Sequence, residues 1–294
     1  MWPPEHNTIS LGLIGAGIGA SLSPALHERE AEALDIACRY ELIDLNDLEL
    51  PAEAVGDLLK QARGGGLRGV NVTHPCKQLA VAHCDVLSHE AATLGAVNTV
   101  IFEPAKTVGD NTDWPAFAEG FRRGLPDASL RDVVVLGAGG AGSAAAHAMR
   151  ALGAEQLCIV DSDRARAVEL AAALSGAGRA RAATPSDLPG LLRRADGLIH
   201  ATPTGMADHP GLALDATLLH EELWVAEVVY RPLLTPLLRA ARERGCRTLD
   251  GGRMAVFQAV YAFERFTGVA PDAERMLAHF AELVAEEGAP WTRA

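Results

Sequence analysis

The chain lacks an excess of basic charge: 38 aspartates and glutamates stand against 26 lysines and arginines, a formal net charge of -12 over 294 residues. Binding along a phosphate backbone needs a cationic footprint, so nucleic acid is not an expected partner. Cysteine is sparse and unpatterned. Cys38, Cys76, Cys84, Cys158 and Cys246 are odd in number, widely spaced and include no C-x-x-C pair, which argues against a disulfide framework and against zinc, and no metal is expected. No apolar run approaches the roughly 20 residues that cross a bilayer. The opening Met1-Trp-Pro-Pro-Glu-His6 has neither the basic start nor the apolar stretch of a secretion signal. Internal repeats and low-complexity segments are absent too. These absences lead us to expect a reduced, cytoplasmic protein with no membrane partner. What remains is ordinary globular composition, 49% apolar and 22% charged, in a chain long enough for two domains.

The most informative stretch runs from Arg131 to Asp161. Val133 to Leu136 is a β-branched run suited to a strand buried on both faces, and Ser143 to Leu152 consists of helix formers. Between them lies Gly137-Ala138-Gly139-Gly140-Ala141-Gly142. In this spacing the first glycine permits a tight turn, the second lets backbone approach a pyrophosphate, and the third lets the helix pack close to the strand. The helix N-terminus then faces an anion. Asp161 ends the next strand at about the twenty-residue offset where a carboxylate accepts from both ribose hydroxyls of NAD and would repel a 2′-phosphate. Strand, glycines, helix and acid in this order point to a dinucleotide, and to NAD over NADP.

Elsewhere the chain alternates strand and helix patterns, and polar residues gather where strands end. Ser10 to Ser21 resembles a second glycine fingerprint, but Pro24 suits a helix's first turn rather than its interior. The helix is therefore expected to start near Pro24, leaving Ser21 and Ser23 in the loop, either as exposed hydroxyls or as plain caps. Helices are expected over 51–62, 165–174, 185–194 and 235–244, with two more over 254–266 and 272–287. Asn71 and Thr73, two apart at a strand's end, are expected on one face, with Lys77 just beyond Pro75. From residue type alone, Lys77 reads equally as a surface charge, Asp113 as a helix cap, Tyr230 as a packing residue, His74 as a solvated side chain and Cys76 as a small core residue.

The motifs Ser21-Leu-Ser23-Pro24, Asn71-Val-Thr73-His-Pro-Cys-Lys77, Gly95-Ala-Val-Asn98-Thr, Gly109-Asp-Asn-Thr112-Asp113, the Gly137 loop, Ala201-Thr-Pro-Thr-Gly-Met206 and Asp250-Gly-Gly-Arg-Met254-Ala-Val-Phe-Gln258 occur in order over nearly the whole chain. Together they resemble the shikimate dehydrogenase family, most closely its NAD-using quinate/shikimate branch. That resemblance implies a two-domain α/β fold. An N-terminal α/β substrate domain, residues 1–110 with 256–294, would bind a cyclic polyol carboxylate, quinate or shikimate. A Rossmann-type doubly wound parallel sheet, residues 111–255, would bind NAD, with reaction in the cleft between.

The same resemblance implies Lys77 and Asp113 as the catalytic pair, Lys77 taking the hydroxyl proton as general base. Ser21 and Ser23 would hold the carboxylate, and Asn71, Thr73, Asn98, Thr112, Gln258 and Tyr230 the ring hydroxyls. Cofactor contacts would come from the Gly137–Gly142 loop, Asp161, Thr202, Pro203, Met206, Val228 and Met254. Asp161-Ser-Asp163 stands where NADP-using relatives carry an Asn-Arg-Thr type sequence, a second ground for NAD. Cys76 replaces a frequent aromatic, and some quinate-oxidising relatives have threonine in place of Ser23. The choice between quinate and shikimate therefore stays open, as does that between monomer and homodimer. A strict shikimate or aminoshikimate dehydrogenase, an NAD-sensing regulator without catalysis, and a methyltransferase are the rival readings.

Overall fold

Short runs, most of them rich in Val, Ile and Leu though Arg179–Ala183 has none, form the strands, which assemble into two six-stranded sheets. In the first, β1 (Ile9–Gly15) lies between β2 (Cys38–Asp44) and β3 (Gly69–Val72), parallel to both. β4 (Val86–Leu87), β5 (Thr99–Phe102) and β6 (Thr107–Asp110) complete the order β2-β1-β3-β5-β6-β4. β5 runs antiparallel to β3 and β6, so this sheet is mixed. The second sheet comprises β7 (Asp132–Leu136), β8 (Gln156–Val160), β9 (Arg179–Ala183), β10 (Gly197–His200), β11 (Trp224–Glu227) and β12 (Arg247–Leu249). Its order is β12-β11-β10-β7-β8-β9 with every pair parallel. The chain winds outward from β7 to β9, then returns beside β7 as β10. Loops leaving those two neighbouring strands diverge, which opens a crevice at their carboxyl ends.

The computed structural model describes residues 8–174 and 179–286. It divides into one unit that runs to Thr112 and resumes at Val256, and another over Asp113–Ala255. Helices α1 (Ser23–Ala33), α2 (Val55–Gly64) and α3 (His89–Leu94) accompany the first sheet. α4 (Asp113–Gly124), α5 (Gly140–Ala151), α6 (Arg164–Leu174), α7 (Leu188–Leu192) and α8 (Pro236–Glu243) accompany the second. α9 (Gly252–Thr267) and α10 (Ala273–Glu286) follow. None of the helices among the described residues is long and apolar enough to cross a membrane.

α1 begins one residue before Pro24, which occupies its first turn. The helix expected over 51–62 is a short 3-10 turn, Ala52–Ala54, followed by α2, and that over 185–194 is likewise Pro185–Asp187 followed by α7. The helix expected over 272–287 is described over Ala273–Glu286, and Glu287 lies outside the described residues. α3 has no counterpart among the sequence expectations: it is one and a half turns long, with Ser88 accepting from the Ala91 N–H at its start and Gly95 left-handed (φ 59°) at its end.

Side chains of β1 alternate between two cores, as a pleated strand requires. Ile14 packs with Val55, Leu58, Leu59, Val70, Val72 and Cys76, while Leu11 and Leu13 pack with Tyr40, Ile101, Ala262 and Phe266. In the second unit Val134, Leu136, Val160, Leu198 and Val225 form the sheet side of a core closed by Leu191, Leu192, Leu237 and Leu238. The central strands β7, β8, β10 and β11 are buried along nearly their whole length, whereas the edge strands β2, β9 and β12 keep charged residues exposed.

Candidate active site

In the first unit, the glycines after β1 are already occupied by the protein's own anion. The Gly17 N–H donates to Asp44 Oδ1 at 2.9 Å and the Ile18 N–H to Oδ2 at 2.7 Å, with the Asn46 N–H on Oδ1 at 3.0 Å. Burial works to raise the Asp44 pKa, yet the N–H groups of Asn46, Gly17, Ile18 and Gly19 outweigh it and hold the carboxyl below its ordinary value. A phosphate therefore has no place in this loop, and the chain runs on to Ser21 and Ser23. Neither serine caps α1: the N-cap position is Leu22, with no side-chain cap. The two hydroxyl oxygens lie 3.2 Å apart, and Ser21 Oγ also accepts the Ser23 N–H.

Strand ends bring the next group together. Tyr40 donates its hydroxyl to Asn71 Oδ1 at 2.8 Å, and Asn71 Nδ2 donates to the Asn98 carbonyl and to Thr99 Oγ1. Thr99 donates to Asn98 Oδ1, which also accepts the Thr112 N–H, while Asn98 Nδ2 donates to Thr112 Oγ1 at 3.0 Å. Asn98, Thr99 and Thr112 are buried, so their mutual hydrogen bonds offset the loss of water. β3 ends at Val72, one residue before Thr73, whose methyl fills the space beside Gly15. Lys77 is half-buried in the following turn, and its carbonyl accepts the Val97 N–H at 2.8 Å, tying the turn to the Asn98 segment. Gln258 is half-buried on α9. Cys76 is fully buried in the core, and His74 is exposed.

Two residues of this group went unmarked in the sequence. Tyr40 looked like an ordinary strand residue, and burial pushes its phenol well above the usual range. His27 looked like an ordinary helix residue. Its ring centroid lies 4.8 Å from that of Tyr40, and its Nδ1 meets the Ser23 carbonyl at 2.9 Å. Burial brings its pKa down from 6.5 to about 4, against the smaller upward pull of that carbonyl. A histidine in the second turn of α1 and a tyrosine in β2 carry no local pattern that marks them as partners.

In the second unit the Gly137 loop sorts its glycines by role. Gly137 is left-handed (φ 109°), and a Cβ there would stand 2.6 Å from the Ala201 carbonyl oxygen. A Cβ on Gly142 would overlap the Gly137 carbonyl oxygen. Cβ atoms on Gly139 and Gly140 would meet nothing within 4 Å. Ala141 lies between them and Gly142 in the first turn of α5, whose leading N–H groups have no intrahelical acceptor. Asp161, just beyond β8, accepts the Ala138 N–H on Oδ2 at 2.7 Å and the Asp163 N–H on Oδ1 at 2.8 Å. Asp163 itself accepts from Ala165 at the start of α6 and lies 3.4 Å from Arg166, so it serves the helix.

Open space, a helix N-terminus and a fixed carboxylate suit the diphosphate and ribose of a dinucleotide. Thr202 packs its methyl toward Gly137, and the Met206 N–H donates to the Pro203 carbonyl. Met206 is 40% exposed, Val228 and Tyr230 are half-buried, and Met254 is buried. Asp113 begins α4 and is 3% exposed.

The second sheet and its loop define a Rossmann-type protein. Residues 13–100 match the family described as "Shikimate dehydrogenase substrate binding domain", and residues 121–207 match "Shikimate / quinate 5-dehydrogenase". The chain is 60% identical over 276 residues to the shikimate dehydrogenase (NADP(+)) of Streptomyces avermitilis, covering 93% of this chain and 95% of that one. It is 47% identical to the quinate/shikimate dehydrogenase (NAD(+)) of Corynebacterium efficiens, covering 95% and 100%. A solved structure, quinate dehydrogenase from Corynebacterium glutamicum in complex with NAD, matches with a TM-score of 0.87 and 42% identity, covering 94% of this chain and 99% of that one. The chain belongs to the shikimate dehydrogenase family, oxidoreductases that use a nicotinamide cofactor.

Proposed function

We propose that this chain interconverts quinate, shikimate or both with the 3-dehydro acid, using NAD. The observation that carries the cofactor choice is Asp161: its carboxylate is held at the end of β8 by the Ala138 and Asp163 N–H groups, beside the open glycines. A negative charge fixed there accepts from ribose hydroxyls and repels a 2′-phosphate. Asp163, the neighbouring acid, adds to that repulsion.

The substrate's carboxylate is taken by the hydroxyls of Ser21, which follows the Asp44-filled loop, and of Ser23, which is the first residue of α1 rather than part of that loop. Asn71, Thr73, Asn98, Thr112, Gln258 and Tyr230 read the ring hydroxyls through neutral donors and acceptors, as a polyol acid requires. Lys77 removes the hydroxyl proton in oxidation and returns it in reduction, with Asp113 fixing the ammonium. A bound nicotinamide supplies the hydride acceptor or donor. The Gly137–Gly142 loop, Thr202, Pro203, Met206, Val228 and Met254 hold it in place.

A second reading has a specific observation behind it, since the Streptomyces avermitilis relative at 60% identity is named an NADP-dependent shikimate dehydrogenase. Initial rates with quinate and with shikimate, each against NAD+ and NADP+, separate the two. The expected result is kcat/KM at least tenfold higher with NAD+. Equal or higher efficiency with NADP+ would overturn the cofactor choice, and no oxidation of either acid would overturn the activity.

A further inference from the structure

Beneath the candidate cofactor loops lies a buried polar cluster that the proposed chemistry leaves without a task. His200 and Glu227 are the last residues of β10 and β11 and face each other in register, with Leu136 of β7 on the other side of His200. Both are almost wholly buried, at 0% and 1% exposure. Nδ1 of His200 stands 2.9 Å from each Glu227 carboxylate oxygen, so the ring donates its Nδ1–H to the carboxylate. Two further donors converge there: the Val229 N–H on Oε1 at 3.0 Å and the Thr235 hydroxyl on Oε2 at 2.9 Å. On the far side of the ring, Nε2 is 2.5 Å from Thr202 Oγ1.

The next residue along each of the three paired strands enters a loop of the candidate cofactor site: Gly137 after β7, Ala201 after β10 and Val228 after β11. Each contact of the cluster holds one of these loops. Thr202 is gripped by the imidazole, and its methyl lies against Gly137. Val229 is gripped by the carboxylate, and the backbone of Val228 and Val229 packs closely under Gly251, three residues before Met254. Thr235 caps α8 through the Leu238 N–H and packs under Gly205 of the Thr202–Met206 loop. Taking an acid and an imidazole out of water is unfavourable, and apolar residues of similar volume often give equal or greater stability at such positions. Stability alone therefore gives no reason for this pair, whereas loop geometry does. Ligands of open parallel sheets bind at the carboxyl ends of the strands, where the pair sits.

We propose that His200 and Glu227 are positioning residues for the dinucleotide site, fixing Thr202 directly and the loops after β10 and β11 through Val229 and Thr235. The proposal rests on the reading that these loops bind the nicotinamide cofactor. Glu227→Gln keeps the side-chain shape but leaves three donors facing a single carbonyl oxygen. Thr235→Val removes one of those donors from a residue outside the candidate site, and Thr235→Ser restores it.

Titration of the full chain with NADH and with NADPH, followed by nucleotide fluorescence, should show about tenfold weaker binding for E227Q and T235V, with T235S near wild type. Cofactor KM should rise in step, while kcat at saturating cofactor and the KM for the acid stay within about twofold. Should E227Q fail to fold, the T235V and T235S pair decides alone. Lowered thermal stability with unchanged cofactor binding in T235V would make the cluster merely structural and overturn the proposal, as would failure of serine to rescue. Wild-type protein that binds neither nucleotide would overturn the underlying cofactor reading and the proposal with it.

Discussion

Gly139 and Gly142 lie three residues apart in one loop and should respond to the same added methyl in opposite ways. Gly139 has φ -75° and ψ -172°, which alanine adopts freely, and its Cβ would meet no atom within 4 Å. Gly139→Ala should therefore change stability by no more than about 0.5 kcal/mol, apart from a gain of up to about 1 kcal/mol from a less flexible unfolded chain. If the loop holds the diphosphate as proposed, the methyl would intrude on it, and cofactor binding should weaken at least about tenfold, or about 1.4 kcal/mol. In Gly142→Ala the new Cβ overlaps the Gly137 carbonyl oxygen and stands 2.8 Å from its carbon. Neither atom can move without shifting the turn between β7 and α5, so overpacking should cost about 1–3 kcal/mol. Thermal unfolding without nucleotide and NADH titration, run on both variants, give the four numbers needed. Wild-type affinity in G139A, or equal destabilisation by the two substitutions, would refute this division of labour within the loop.

Lys77→Ala should leave NADH binding intact and lower kcat about 10²–10⁴-fold, the usual contribution of a positioned base; turnover within a few-fold of wild type would mean the proton goes elsewhere. His27 carries a pH dependence whose sign is fixed by its lowered pKa. Above about 6.5 it is neutral in both folded and unfolded chains. Between about 6.5 and about 4 only the unfolded chain takes up the proton, so stability falls over that window and levels off below it. The full loss is about 3 kcal/mol at 1.36 kcal/mol per pH unit. His27→Gln retains a donor for the Ser23 carbonyl and should be free of that slope. A wild-type minus variant difference that stays constant in urea titrations at pH 7 and pH 4.5 would remove His27 from the account.

Local signals were legible wherever a few neighbouring residues determine the outcome. Pro24 marked the start of α1 because a missing N–H and a fixed φ suit only a first turn, and the glycine spacing marked the β7–α5 turn because sterics forbid anything larger at Gly137 and Gly142. Buried β-branched runs marked the parallel strands. α3 escaped notice, and so did the antiparallel direction of β5, because a helix of six residues has too little periodicity to read and a buried four-residue strand carries no sign of direction.

The sequence by itself determined the chain's alternating elements, its glycine turns and, through the ordered motifs, its family. Only the tertiary structure decided that Asp44 fills the first glycine loop while the second stays open, that His27 and Tyr40 join Ser23 to Asn71, and that His200 meets Glu227 beneath the loops after β10 and β11. The physical reason is that propensity and periodicity act between near neighbours. A hydrogen bond between two strand ends depends on crossover path and register, which take shape only when the whole sheet packs.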